Sequence, residues 1–210
     1  MSNYWEQHQI RQYFTNKKMN EKLEEWIFRN KNITFSKNYK ILDIGCGYGR
    51  NIMNFAKKGC LIYGFDKCKE SILFINNSDW KKENTHIWID DMRDPNCLNN
   101  KYHLIIADGV LHQLEENYIR KIITQIKKML FKNGLFFLSV FTSDVSPDNC
   151  QYMGNKMYMN ESLLPMTLLS SAEWLELLNF NSFVANEISK ENFNLDVGLR
   201  SNLTTSGVFK

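Results

Sequence analysis

A glycine-rich turn directly after an aliphatic run is the most informative chemical pattern in the sequence. Residues 41–50 read ILDIGCGYGR, with Gly45, Gly47 and Gly49 at alternating positions. Glycine adopts positive φ angles at little cost and lets the backbone approach a ligand closely. Because the turn leaves a predicted strand and opens a predicted helix, we expect it to form part of a ligand-binding site.

Two phosphate-binding motifs fit this turn poorly. The dinucleotide fingerprint G-x-G-x-x-G needs a third glycine where this chain has Arg50. A P-loop would need a GK[ST] run after the glycines, which is also missing. A nicotinamide-dependent oxidoreductase on a similar sheet therefore stays only as an alternative function.

The turn belongs to an alternation of strands and helices. Strand patterns cover residues 39–45, 61–66, 86–90, 103–108 and 135–141, and helix patterns cover 50–59, 69–77 and 115–134, the last ending at Gly134. This alternation is typical of βαβ units, in which a parallel sheet is covered by helices on both faces. A capped helix over 170–180, with Ser170 or Ser171 as N-cap, and two final strands follow.

Polar residues come directly after the later strands of this series. Asp66 ends the second strand, Asp91 follows the third beside its rival Asp90, and Asp108 and His112 follow the fourth. The carboxyl ends of parallel strands share one edge of the sheet, which is where ligands bind in such folds. The two carboxylates Asp66 and Asp91 could instead be caps that bind backbone N–H groups.

Together these segments resemble the motifs of class I S-adenosylmethionine-dependent methyltransferases. The likeness rests on LDIGCGYGR, YGFD, IDDMRD and ADGVLHQL, and it covers residues 38–141 well and 170–210 weakly. A looser similarity is to small single-domain bacterial enzymes of the tellurite-resistance type. The KNG segment at 132–134 departs from the Lys-Pro-Gly-Gly that is usual in the family. The resemblance implies a doubly wound, mostly parallel, seven-stranded Rossmann-like sheet whose last strand is antiparallel.

The resemblance also implies S-adenosyl-L-methionine as cofactor and assigns roles to its contacts. Asp66 would accept hydrogen bonds from both ribose hydroxyls, and Asp91 would contact the adenine amino group while Met92 packs on the ring. Asp43 would organise the turn and reach the methionine amino group, near Asp108. The cofactor-binding candidates are Asp43, Gly45, Cys46, Gly47, Gly49, Asp66, Lys67, Asp91, Met92, Asp108 and Trp5.

Catalytic residues are harder to identify, because a methyl transfer to a soft anion needs no general base. His112 could act as a base, bind the methyl acceptor or pack under the cofactor. His8 and Tyr13 are the other catalytic candidates, and they lie in an aromatic N-terminal stretch that also contains Trp5. We expect that stretch to be a lid over the cofactor, although a helix packed on the sheet would fit the same pattern.

The length of 210 residues fits a single methyltransferase domain. We divide it into an N-terminal helical lid (1–37), a cofactor-binding core (38–141), a substrate-side insertion (142–169) and a C-terminal helix with strands (170–210). The insertion is long for a loop without structure, so we expect it to be functional or to contain a short helix.

Composition favours a cytoplasmic protein, and the resemblance implies a small-molecule methyl acceptor. The net charge is only +3, and the five cysteines show no CxxC spacing that would indicate a metal site. There is no signal-peptide pattern, and no apolar run is long enough to span a membrane. The segment after the fourth strand lacks the Asn/Asp-Pro-Pro-aromatic run of enzymes that methylate nucleic-acid bases, so we expect no nucleic-acid substrate. The acceptor atom, the oligomeric state and a non-catalytic cofactor-binding role stay open.

Overall fold

The structure is a computed structural model that describes residues 18–29, 33–96, 99–145, 150–160, 164–195 and 198–209. The strands are β1 Lys40–Ile44, β2 Leu61–Asp66, β3 Thr85–Ile89, β4 Tyr102–Asp108, β5 Leu130–Thr142, β6 Cys150–Gly154, β7 Met157–Asn160, β8 Pro165–Thr167, β9 Phe183–Leu195 and β10 Gly198–Phe209. The helices are α1 Glu21–Arg29, α2 Met53–Lys57, α3 Lys69–Asn76, α4 Glu116–Met129 and α5 Ser171–Phe180, with a 3₁₀ turn at Leu111–Gln113. None of these helices combines the length and the apolar character that crossing a bilayer requires.

The main sheet has seven strands in the order β3-β2-β1-β4-β5-β10-β9. Strands β1 to β5 pair in parallel, and β10 runs antiparallel to both of its neighbours. The predicted mostly parallel sheet with an antiparallel last strand is therefore confirmed. The chain order reverses between β1 and β4, so the carboxyl ends of these two strands form the topological switch point where ligands bind.

Helices cover both faces of the sheet because its buried strands are apolar on both sides. Ile41 of β1 packs in a cluster with α1, α2 and α3. Its neighbour Leu42 points to the opposite face and packs in the cluster that contains α4 and α5. This alternation follows from the two-residue period of a strand.

Helix α4 presents the predicted apolar stripe to the sheet. Its buried residues are Ile119, Ile122, Ile123, Ile126 and Met129. The predicted end of this helix at Gly134 is wrong, because Leu130 already pairs with Tyr102 as the first residue of β5. Asn133, with a φ of 62°, has a left-handed backbone conformation in the stretch where the pairing of β5 with β4 shifts register.

Helix α5 begins with the expected cap. The Ser170 hydroxyl accepts the N–H of Glu173, and the Glu173 carboxylate accepts the backbone N–H of Ser170 at 2.7 Å. This reciprocal pair is a capping box, which satisfies two otherwise unpaired donors at the start of the helix. It supports the predicted helix over 170–180 and identifies Ser170 as the N-cap.

The segment between β5 and α5 forms a small antiparallel sheet of β6, β7 and β8. The short helix expected there is not found in the part of the segment that the structure describes. Positive φ angles at Asn155 and Lys156 make the turn between β6 and β7. Lys156 then forms ion pairs with Glu116 of α4 at 3.2 Å and Glu173 of α5 at 2.7 Å, which attach the hairpin to the helical layer.

Candidate cofactor site

The three glycines of the turn after β1 have different physical reasons to be glycine. All have positive φ angles, of 66°, 50° and 81° for Gly45, Gly47 and Gly49. A Cβ at Gly45 would lie 2.4 Å from Val110 Cγ2, and one at Gly49 would lie 2.7 Å from Trp80 Cζ2. A Cβ at Gly47 would meet no described atom within 4 Å. Packing therefore requires Gly45 and Gly49, whereas Gly47 borders space that a ligand can fill.

Asp66 joins the end of β2 to this turn. One carboxylate oxygen accepts the N–H of Gly47 at 2.8 Å, and the other accepts the N–H of Cys68 at 2.8 Å. Burial raises the pKa of Asp66, and the N–H donors from Cys68 and Gly47 oppose that rise. The Lys67 N–H is a third donor, which leaves about one of the four acceptor sites of the carboxylate for the ribose hydroxyls expected from the sequence.

Replacing Asp66 with alanine is expected to weaken binding of S-adenosylmethionine by about 1–3 kcal/mol, the cost of leaving polar partners unpaired. Isothermal titration measures the change, and Asp66→Asn, which retains one carbonyl acceptor, should lose less. Thermal unfolding checks that both variants fold. An affinity equal to that of the unaltered protein would reduce Asp66 to a structural residue of the turn.

Asp43 is the most unusual carboxylate of the site. It is 1% exposed, and its Oδ2 has no hydrogen-bond partner within the described part of the chain. Burial holds the pKa of Asp43 well above its ordinary value, with Asp108 and Asp66 adding to the rise and Arg50 opposing it. A buried acceptor without a partner, at the switch point of the sheet, fits the cationic amino group of S-adenosylmethionine.

Asp108, at the end of β4, is held by three donors. Its Oδ2 accepts a hydrogen bond from the Arg50 guanidinium and another from Asn51 Nδ2 at 3.0 Å. Its Oδ1 accepts Asn20 Nδ2 at 2.8 Å. Asp108 was expected from the sequence, whereas Asn20 and Asn51 were not, and Arg50 had indicated only that a dinucleotide fits the turn poorly.

The two adjacent aspartates after β3 have separate roles. Asp90 Oδ2 accepts hydrogen bonds from the Trp88 indole at 3.0 Å and from the N–H of Asn96 at 2.8 Å, so it organises the following turn. Asp91 instead forms an ion pair with Arg93, whose hydrogen bonds lower the pKa of Asp91. Asp91 Oδ1 also accepts the backbone N–H of Arg93 at 3.0 Å, so both aspartates bind backbone N–H groups of this turn.

Lys67 and Met92 lie beside Asp91. The exposed Lys67 ammonium is 3.4 Å from the Asp91 carboxylate. Met92 is half-buried and packs against the core on the α4 side of the sheet. These three cofactor-binding candidates thus lie next to the ends of β2 and β3.

His112 lies on the 3₁₀ turn after β4 and is 2% exposed. Its Nδ1 accepts the backbone N–H of Phe141 at 3.4 Å, and the two rings lie 4.7 Å apart. Burial lowers the pKa of His112 to about 4. The imidazole is therefore neutral at pH 7 and has its proton on Nε2, so it is suited to donate a hydrogen bond.

The remaining candidates divide between the turn and the N-terminus. Cys46 is buried in the turn, where its N–H donates to the Phe65 carbonyl at 3.0 Å. Burial holds the pKa of the Cys46 thiol well above its ordinary value, which disfavours a reactive thiolate. Trp5, His8 and Tyr13 lie outside the residues that the structure describes.

Comparison with known proteins identifies the family. A methyltransferase-domain family model matches residues 6–188. An uncharacterized protein of Rickettsia prowazekii is 33% identical over 107 residues, a match that spans 49% of this chain and 43% of that protein.

Solved structures show the same fold at low sequence identity. A 1,6-didemethyltoxoflavin-N1-methyltransferase from Burkholderia thailandensis, solved with its substrate and S-adenosylhomocysteine, has a TM-score of 0.70 and 18% identity, covering 97% of this chain and 84% of that one. TehB from Haemophilus influenzae has a TM-score of 0.68 and 19% identity, covering 100% of this chain and 67% of that one. Since the family model matches most of the sequence, the chain belongs to the methyltransferase-domain family of S-adenosylmethionine-dependent enzymes.

Proposed function

We propose that this protein transfers the methyl group of S-adenosylmethionine to an oxygen, nitrogen or sulfur atom of a small molecule. The observation that supports this most strongly is the buried Asp43 carboxylate, whose Oδ2 has no hydrogen-bond partner among the described residues and lies at the same edge of the sheet as the open space at Gly47. When bound, the cofactor supplies an electrophilic methyl group and leaves as a neutral thioether.

In this proposal, the residues along the edge of the sheet bind successive parts of the cofactor. Asp43 and Asp108 face its amino-acid end, and Asp66 accepts its ribose hydroxyls. Asp91 and Met92 contact the adenine. The order of these residues follows the order of the strands, since Asp108 and Asp43 belong to β4 and β1, and Asp66 and Asp91 to the ends of β2 and β3.

The protein accelerates the transfer mainly by holding the acceptor in line with the methyl group and by excluding water. His112 contributes a hydrogen bond from Nε2 to the acceptor, because its low pKa makes it a weak base.

A small molecule is the acceptor class that the chain favours. The segment that ends β4 and follows it reads ADGVLH, without the motif of enzymes that methylate nucleic-acid bases. The sheet of β6 to β8 exposes Tyr152 and Met153, two side chains suited to an apolar or aromatic acceptor. The Burkholderia enzyme of similar fold was solved with bound 1,6-didemethyltoxoflavin.

The proposal is tested by supplying S-adenosylmethionine with a labelled methyl group to a panel of acceptors. The panel contains thiols, phenols, amines and nitrogen heterocycles, with transfer RNA and duplex DNA as alternatives. We expect S-adenosylhomocysteine to form only when a small acceptor is present. Label in nucleic acid alone would contradict the proposed acceptor class, and cofactor binding without turnover across the panel would favour a non-catalytic binding protein.

A further inference from the structure

Asn20 connects the start of helix α1 to the candidate cofactor site. Its side-chain Oδ1 accepts the N–H groups of Lys22 at 3.0 Å and Leu23 at 3.3 Å, so Asn20 is the N-cap of α1. Its Nδ2 donates to Asp108 Oδ1 at 2.8 Å, and its backbone N–H donates to Asn51 Oδ1 at 3.0 Å. One residue thus links α1 to both the end of β4 and the turn after β1.

The cap fixes which end of the Asn20 amide faces Asp108. Because Oδ1 already faces two backbone donors, Nδ2 is the end that is available to donate. Arg50 and Asn51 occupy the other oxygen of Asp108, whose side chain is only 3% exposed. Removing the Asn20 donor would therefore leave one oxygen of a buried carboxylate without its protein partner.

The donor from Asn20 is also electrically neutral. Asp108 has a charge partner in Arg50, and it lies close enough to Asp43 for its charge to raise the pKa of Asp43. An amide holds Asp108 in place without changing the net charge around these two carboxylates. A carboxylate at position 20 would add a third negative charge there.

We propose that Asn20 is a positioning residue of the cofactor site. Its hydrogen bond to Asp108 fixes the position of the carboxylate that faces the amino-acid end of S-adenosylmethionine. The same bond couples the first turn of α1 to cofactor binding. This inference rests on the proposed cofactor site.

Two substitutions separate positioning from helix capping. Serine and aspartate are both strong N-cap residues, so Asn20→Ser and Asn20→Asp retain the cap of α1 but lose the donor to Asp108. We expect Asn20→Ser to raise the Kd for S-adenosylhomocysteine roughly ten-fold, as for the loss of a hydrogen bond to a charged group. Asn20→Asp should raise the Kd further, because it places two carboxylates against each other. Isothermal titration gives the Kd, and thermal unfolding checks that both variants fold.

A reciprocal exchange provides the most specific control. Combining Asn20→Asp with Asp108→Asn reverses donor and acceptor while keeping the net charge of the unaltered protein. We expect the double variant to bind S-adenosylhomocysteine more tightly than either Asn20→Asp or Asp108→Asn alone. Unchanged affinity in both single Asn20 variants would overturn the inference and leave the cofactor site intact. Absence of binding to the unaltered protein would overturn the proposed function and this inference with it.

Discussion

Replacing Asp43 with asparagine should remove most of the affinity for S-adenosylmethionine while leaving the folded protein intact. Asp43 is buried, and its Oδ2 lacks a hydrogen-bond partner in the described structure. An ammonium group of the ligand would therefore supply a partner to that oxygen. An amide of the same shape cannot neutralise that charge. We expect a loss of about 1.5–3 kcal/mol, roughly 10- to 150-fold in Kd, measured by isothermal titration.

Although it weakens cofactor binding, the same substitution should stabilise the folded state of the free protein at pH values above the pKa of Asp43. Because the pKa of Asp43 is raised by burial, the folded state favours the protonated carboxyl more than the unfolded state does. Its contribution to stability is therefore fully present below the unfolded pKa and is lost as pH rises through the folded pKa. Asparagine resembles the protonated form at every pH, so Asp43→Asn should show less of this loss when thermal unfolding is followed from acidic to alkaline pH.

A surface aspartate gives the matched control for both measurements. Asp94, whose side chain is 85% exposed, can be changed to asparagine without altering the candidate site. Asp94→Asn should leave the Kd and the pH profile of unfolding unchanged. If Asp43→Asn also bound the cofactor as tightly as the unaltered protein, Asp43 would not contact the ligand's amino group.

Changing Gly47 to valine should abolish cofactor binding in a protein that still folds. A side chain at Gly47 would extend into space where its Cβ meets no described atom within 4 Å. The cost to folding is then mainly the positive φ of 50°, about 1–2 kcal/mol for a residue other than glycine. The side chain would occupy the space that we assign to the cofactor, which titration with S-adenosylmethionine and S-adenosylhomocysteine measures.

Gly59 provides the control for backbone strain. It has a φ of 87° and no described atom within 4 Å of a built Cβ, but it precedes β2 and so lies at the opposite edge of the sheet. Gly59→Val should lower the unfolding temperature to a similar degree and leave the Kd unchanged. Wild-type affinity in Gly47→Val would show that the turn does not enclose the cofactor.

The fold was predictable because its signals are local. Strand and helix periods, the apolar stripe of α4 and the Ser170 cap are each contained within a few consecutive residues. The errors occurred where tertiary pairing decides the structure: Leu130 leaves α4 because it pairs with Tyr102. In the segment after β5, the turn at Asn155 and Lys156 and the strands beside it were not anticipated, although Gly-Asn, here Gly154-Asn155, is a recognised hairpin signal.

The site was predictable only in part for the same reason. The carboxylates after the strands could be located from their spacing. However, the sequence could not separate Gly47 from Gly45 and Gly49, because the difference depends on contacts with Val110 and Trp80. The bond between Asn20 and Asp108 joins residues 88 positions apart, and no local pattern indicates it.

The measurement that tests the central claim most directly is isothermal titration of the unaltered protein with S-adenosylmethionine, S-adenosylhomocysteine and NADH in parallel. The site described here predicts micromolar binding of both sulfur nucleosides and no binding of NADH. Tight binding of NADH, with no response to the other two, would contradict the assignment of the glycine turn and favour a nicotinamide-dependent oxidoreductase instead.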